Sequence, residues 1–145
     1  MPGRKDKLTG FEYFDHTGDL GIRLFGESLE DLFQQAGKAF TSIITLPEKI
    51  RLKEEKKIRV TADDPEGLLV NWLNEMVFLF DVRGMMFREF EILSVDKGSV
   101  SAIGRGEKYD PAVHIIKTLI KGATHHQLKI AKDHGKWEAR VVLDL

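Results

Sequence analysis

Asp64-Pro65-Glu66-Gly67-Leu68-Leu69-Val70-Asn71-Trp72-Leu73-Asn74-Glu75-Met76-Val77-Phe78-Leu79-Phe80 sets the architecture of this chain. Asp64 followed by Pro65 is a helix start: the carboxylate can accept from an orphan backbone N–H, and proline at the first helical position has no N–H to lose. Leu68, Leu69, Trp72, Leu73, Met76, Val77 and Phe80 then recur at helical spacing. A stripe that wide predicts a helix covered on more than one side, and therefore a central one. Gly84 falls in the turn after it.

A second helix precedes this one. Ser28 with Asp31 resembles a capping box. Leu29, Leu32, Phe33, Ala36, Phe40 and Ile43 share one face to about residue 44, and Pro47 ends the helix. The rest alternates as strands. Phe11–Phe14 and Ile22–Phe25 flank the polar turn Asp15-His16-Thr17-Gly18-Asp19. Residues 50–62 are charged, with alternation in Ile58-Arg59-Val60-Thr61. Phe90–Val95 and Ser99–Ile103 are joined at Asp96-Lys97-Gly98, and Leu119–Ile130 and Trp137–Leu143 at Asp133-His134-Gly135. Residues 104–114 read as loop, and Pro111–Lys117 as room for a short helix. In the last strand Trp137, Ala139, Val141 and Leu143 share one face and Glu138, Arg140, Val142 and Asp144 the other. The expected fold is α+β: two main helices packed on antiparallel or mixed sheet, in one domain over residues 11–145. Residues 1–10 are polar and expected to be a flexible N-terminus.

Composition narrows the function. The 145 residues hold 22 Lys+Arg against 23 Asp+Glu, five His and no Cys. Without Cys there are no disulfides, thiolate metal sites or thiol nucleophiles. Balanced charge argues against a broad basic nucleic-acid face. No apolar run approaches the roughly 18 residues of a membrane span, and no signal peptide is visible. The expectation is a soluble cytoplasmic protein.

Two acidic groups stand out. Asp15, His16 and Asp19 lie within five positions on a turn with Gly18 and Gly21. Carboxylate oxygens suit calcium, magnesium or manganese, and the imidazole extends the range to zinc or iron; these are also ordinary turn residues. Asp144 stands beside the C-terminal Leu145, so a side-chain carboxylate and the α-carboxylate are adjacent, on what is also an end prone to fraying. Lys121 to His126 offers a cation and two imidazoles; in a regular strand only one of His125 and His126 faces a given site. Gly104-Arg105-Gly106-Glu107 lacks the full pattern of a phosphate loop. The basic residues between Lys49 and Arg59 are interrupted by Glu54 and Glu55 and carry no interleaved aromatics, as expected of a solvated strand.

The ordered set of motifs resembles the archease family. The matching pieces are Phe14-Asp15-His16-Thr17-Gly18-Asp19-Leu20-Gly21, Ser28–Phe33, Leu68–Glu75, Gly106-Glu107, His114, Lys121–His126 and Trp137–Leu145, which together span residues 11–145. The resemblance implies an accessory protein, not itself the ligase. It would act with an RtcB-type tRNA-splicing RNA ligase as protein partner, accelerating GTP-dependent guanylylation, supporting multiple turnover and broadening nucleotide use in tRNA splicing and RNA repair. RNA would be touched indirectly, and no membrane is involved. The implied metal site takes Asp19 and Asp144, with Leu145 adding a backbone oxygen. Its cofactor would be a divalent ion: calcium, magnesium or manganese, with zinc as a further candidate. His16, Glu107, Lys121 and His126 are candidates for completing the site or docking the partner. Gly18 stands where the family pattern has Ala, and Lys121-Gly122-Ala123-Thr124-His125 departs from Lys-Ala-Val-Thr-Tyr. Two alternatives stay open: a metal-dependent phosphohydrolase acting alone, and a chaperone-like modulator of a tRNA-modifying enzyme.

Overall fold

The computed structural model describes residues 9–145 except Thr17. The flexible segment expected over 1–10 therefore lies almost wholly outside the described residues; Gly10 already belongs to the first strand. The order is β1 (Gly10–His16), β2 (Asp19–Gly26), α1 (Leu29–Ile44), a 3-10 turn (Pro47–Lys49), β3 (Glu54–Thr61), α2 (Pro65–Arg83), β4 (Met85–Val95), β5 (Ser99–Lys108), β6 (Gly122–Asp133) and β7 (Lys136–Asp144). Two sheets form, β1-β2-β7-β6 and β3-β5-β4. Every pairing is antiparallel. The mixed-sheet alternative thus falls away: each neighbour runs back along its partner.

Both helices start as the sequence predicts. Ser28 Oγ accepts from the Asp31 N–H at 3.0 Å, and Asp64 Oδ1 accepts from the Gly67 N–H at 2.6 Å. The helices lie between the sheets. α1 packs on β2 and β4, and α2 on β6 of one sheet, β3, β4 and β5 of the other, and α1. That is why the α2 stripe is so wide: it has neighbours on several sides. At the centre Trp72 is fully buried. Its indole N–H donates to the Phe33 carbonyl at 3.1 Å, and its ring meets Phe33 and Phe90 edge-on at 6.2 and 6.0 Å. Burying the indole with its donor satisfied avoids the desolvation penalty of a lone N–H.

Three expectations are corrected. β5 continues to Lys108, so residues 104–108 are strand and the loop begins only at Tyr109. Pro111–Lys117 holds a single turn and no helix. The backbone groups that would propagate a helix are taken elsewhere. The Asp110 N–H donates to His114 Nδ1, the Ile115 carbonyl accepts from Thr45 Oγ1, and the Lys117 N–H donates to the Ile44 carbonyl. The segment is thereby stapled across the end of α1. Third, β6 is irregular. Its register with β7 breaks between Thr124 and Lys129, and Gln127 has φ 53°. Simple alternation of His125 and His126 does not hold, and both are exposed.

Candidate functional site

β-ladder register assembles the end of the four-stranded sheet. His16 pairs with Asp19 across the β1–β2 turn. Leu20 pairs with Leu143, and continuing that register by one residue sets Asp19 opposite Asp144. Asp144 in turn pairs with Gly122. The Lys121 N–H donates to the Asp144 carbonyl at 2.8 Å, which ties the last residues to the start of β6. Asn74 of α2 fixes that start from below, its side-chain oxygen accepting from the Ala123 N–H at 2.8 Å. One row at the sheet end thus collects the backbones of His16, Asp19, Asp144 and Gly122, with Lys121 and Leu145 adjoining. Sequence positions more than a hundred residues apart meet because β2 and β7 are the two central strands.

The turn feeding this row carries Gly18 at φ 74°. That left-handed conformation suits glycine and strains alanine, so the departure from the family's Ala goes with the turn this chain adopts. Gly21 serves differently: a Cβ there would run into the Phe14 ring. The absent side chain lets Phe14 lie across β2.

The remaining candidates separate. His126 sits in the β6 irregularity, where its N–H donates to Thr124 Oγ1 at 3.3 Å. Glu107 is in the other sheet and is 3% exposed. Its oxygens accept from the Arg51 backbone N–H at 2.7 Å and Arg51 Nε at 3.0 Å, and pair with His114 Nε2 at 2.9 Å. His114 Nδ1 accepts the Asp110 N–H at 2.9 Å, which leaves Nε2 to donate to Glu107. Burial pushes the Glu107 carboxyl up, but the Arg51 N–H, the His114 ring and the Arg51 guanidinium outweigh it and hold the group below its ordinary 4.5. Both oxygens are engaged in a buried clasp, so Glu107 closes the loop after β5 and does not complete the Asp19–Asp144 row. Among the described residues no three His, Cys, Asp or Glu side chains are grouped to hold a metal ion.

Sequence reading misses three groups. Arg51 gives no local signal, because its partner is 56 positions away. Asn74 lies inside a motif but reads only as a polar helix residue. The third is a row of basic residues on the outer face of the four-stranded sheet. Arg23 pairs with Arg140, and Arg140 with Lys129. Only the β2–β7–β6 register brings them together.

Residues 11–145 match the model of the archease protein family (MTH1598/TM1083). The chain belongs to the archease family. It is 36% identical to Protein archease of Methanosarcina mazei over 149 aligned positions, covering all of both chains. It is 37% identical to Protein archease of Pyrococcus abyssi, covering 93% of this chain and 98% of that one. The solution structure of Methanobacterium thermoautotrophicum protein 1598 superposes with TM-score 0.78 at 31% identity, covering 94% of this chain and 99% of that one. The crystal structure of a Thermotoga maritima archease, described as a possible chaperone, gives TM-score 0.63 at 22% identity, covering 92% and 96%. The second likeness speaks for the fold alone. The expected α+β architecture of two helices on antiparallel sheet is the fold of these archeases. Among the described residues, no helix is long and apolar enough to cross a membrane.

Proposed function

We propose that the chain activates an RtcB-type tRNA-splicing RNA ligase, promoting its GTP-dependent guanylylation and multiple turnover, through a divalent-metal site on Asp19, Asp144 and Leu145. The observation that carries this reading is the archease match over residues 11–145. The register that sets Asp19 opposite Asp144 supports the metal part. The donor set fits a hard cation: two side-chain carboxylates and a backbone oxygen of Leu145. Calcium takes six to eight oxygens and magnesium six, so waters or groups of the ligase would supply the balance. The bound ion would contribute positive charge for positioning phosphates.

The chain's own part is geometric. The β2–β7 ladder fixes the two carboxylate-bearing positions, and the Lys121–Asp144 backbone bond holds the last strand in place. With no cation, two facing carboxylates repel; a cation relieves this and orders the terminus. Lys121 and His126 are positioned at the neighbouring strand to meet the ligase, and RNA is served through that protein partner in the cytoplasm.

The test is single-turnover guanylylation of the cognate ligase. Adding the protein should raise the rate, and Asp144→Ala should abolish the gain. An unchanged rate, or full activation by Asp144→Ala, would sink the reading. The word "chaperone" attached to the Thermotoga protein favours one second reading, modulation of a partner's folding or specificity. A folded Asp19→Asn, Asp144→Asn double variant that still rescues the partner would select it.

A further inference from the structure

Four residues line up across the whole width of the four-stranded sheet. Glu12 pairs with Arg23, Arg23 with Arg140, and Arg140 with Lys129. Cross-strand partners share a face, so three cations stand side by side on three successive strands, roughly 5 Å apart. Directly opposed like charges disfavour a sheet. Here the middle two sit on the central strands, where neither can swing off an edge. Compensation is partial. Arg23 reaches Glu12 at 3.8 Å. Among the described residues the hydrogen-bond partner of the Arg140 side chain is the neutral Gln127 Oε1, at 3.3 Å from its Nη2. The Arg140 Nε is buried without a hydrogen-bond partner among the described residues. Among the described residues no carboxylate pairs with Arg140 or Lys129.

The row is also shaped. Arg23, Lys129, Ala131, Glu138, Ala139 and Arg140 line a recess of about 160 Å³. Ala131, across from Glu138, leaves the room that a larger side chain would fill. Both guanidiniums lie against the Phe14 ring, Arg23 at 4.8 Å and Arg140 at 4.5 Å from its centroid. That stacking sets their planes and leaves donor edges to present. Glu138 supplies one carboxylate to the rim, which discourages a bulky polyanion from filling the recess and leaves space for a single charged group.

We propose that this recess on the outer sheet face binds a phosphate group, gripped by the Arg23 and Arg140 guanidiniums and by Lys129. A tetrahedral oxyanion matches it: several oxygens for donors arriving from three strands, and enough charge to relieve the repulsion among them. The group's source is either a free phosphate or nucleotide, or one phosphodiester of a single-stranded RNA. The site lies on the same face as Asp19 and Asp144 by strand alternation, four residues along, or about 13 Å. It is independent of the ligase reading, because its binding is measured with no ligase present.

The experiment is an NMR titration of the full chain, following the arginine Nε–Hε signals, with inorganic phosphate and separately with a ten-nucleotide single-stranded RNA. The Arg140 and Arg23 signals should move and saturate with phosphate. RNA binding at least tenfold tighter, falling steeply with salt, identifies a nucleic-acid strand as the source; equal or weaker RNA binding identifies a free phosphate. Arg140→Gln and, separately, the exposed-site change Lys129→Gln should each weaken binding at least fivefold, while Asp144→Asn leaves it unchanged. Arg140→Gln should keep or raise Tm, since it removes an opposed like charge. If it fails to fold, Lys129→Gln carries the test alone. Non-saturating shifts spread over surface lysines, or wild-type affinity in Lys129→Gln, overturn the proposal.

Discussion

At Glu107 a single carboxylate holds the loop after β5 to the strand before it. Removing its charge by Glu107→Gln leaves two oriented donors without a matching acceptor, at a cost of about 2–3 kcal/mol. Chemical denaturation at pH 7 measures this. The pH sign comes from the direction of the shift. The folded-state carboxyl titrates below its ordinary 4.5. Its stabilisation is therefore fully present above about 4.5 and is lost as pH falls through the lower folded value. The wild-type chain should lose this contribution on acidification below about pH 4.5, while Glu107→Gln should show a flatter profile there. Sequence singles out Glu107 and His114 but misplaces what Glu107 does. Gly106-Glu107 looks like a site element, while its partner Arg51 lies far off, in a stretch that reads as solvated. A residue's chemistry is visible in its identity; whether that chemistry is consumed internally depends on contacts across the fold.

For helices and strands, local rules serve well where the signal is local. Asp64 caps α2 as its position before Pro65 implies, and Asp64→Ala should cost about 1 kcal/mol by urea denaturation. The extra length of β5 is hidden by its glycines. Gly104 and Gly106 read as loop residues, yet both lie in strand against Phe87. The Asp110–Lys121 connection misleads because hydrogen bonds from it go to the end of α1, to Asp144 of β7 and to its own His114 ring, and no window of sequence shows that. Gly21 offers a direct check on how β1 sits over β2. Gly21→Ala must push Phe14 aside, and overpacking of this kind costs about 1–3 kcal/mol. The two guanidiniums stacked on Phe14 should shift with it, so the arginine Nε–Hε spectrum reads the displacement independently of stability.

For the molecule as a whole, the two sheets share no strand and are joined through the helices between them. Sequence periodicity makes the two-helix core legible, because the stripes on α1 and α2 are local. The division into two sheets is not legible, since it depends on which strands pair. Nor is the meeting of Asp19 with Asp144, which only the central position of β2 and β7 brings about. A shared core makes unfolding common to both sheets. Trp72→Ala should cost about 3–5 kcal/mol. Amide exchange in β2 and β5 should accelerate together; protection lost in one sheet alone would contradict a single cooperative unit. A bound divalent ion would add stability at one end of this unit. Calcium or manganese should raise Tm in proportion to the logarithm of excess ion, and Asp19→Asn should remove the rise.

The broken register of β6 has a consequence beyond the placement of two histidines. β6 is an outer strand, and its irregular stretch spoils the line of donors and acceptors that an incoming chain would need. β4, an edge of the other sheet, is interrupted twice, between Phe87 and Glu89 and between Ile92 and Ser94. β3, the remaining edge there, carries Lys56, Lys57 and Arg59 along its length. Three of the four margins are thus closed to strand-by-strand growth, so crowded chains resist stacking into cross-β fibrils. The margin at β1 has an even ladder and no such run of cations.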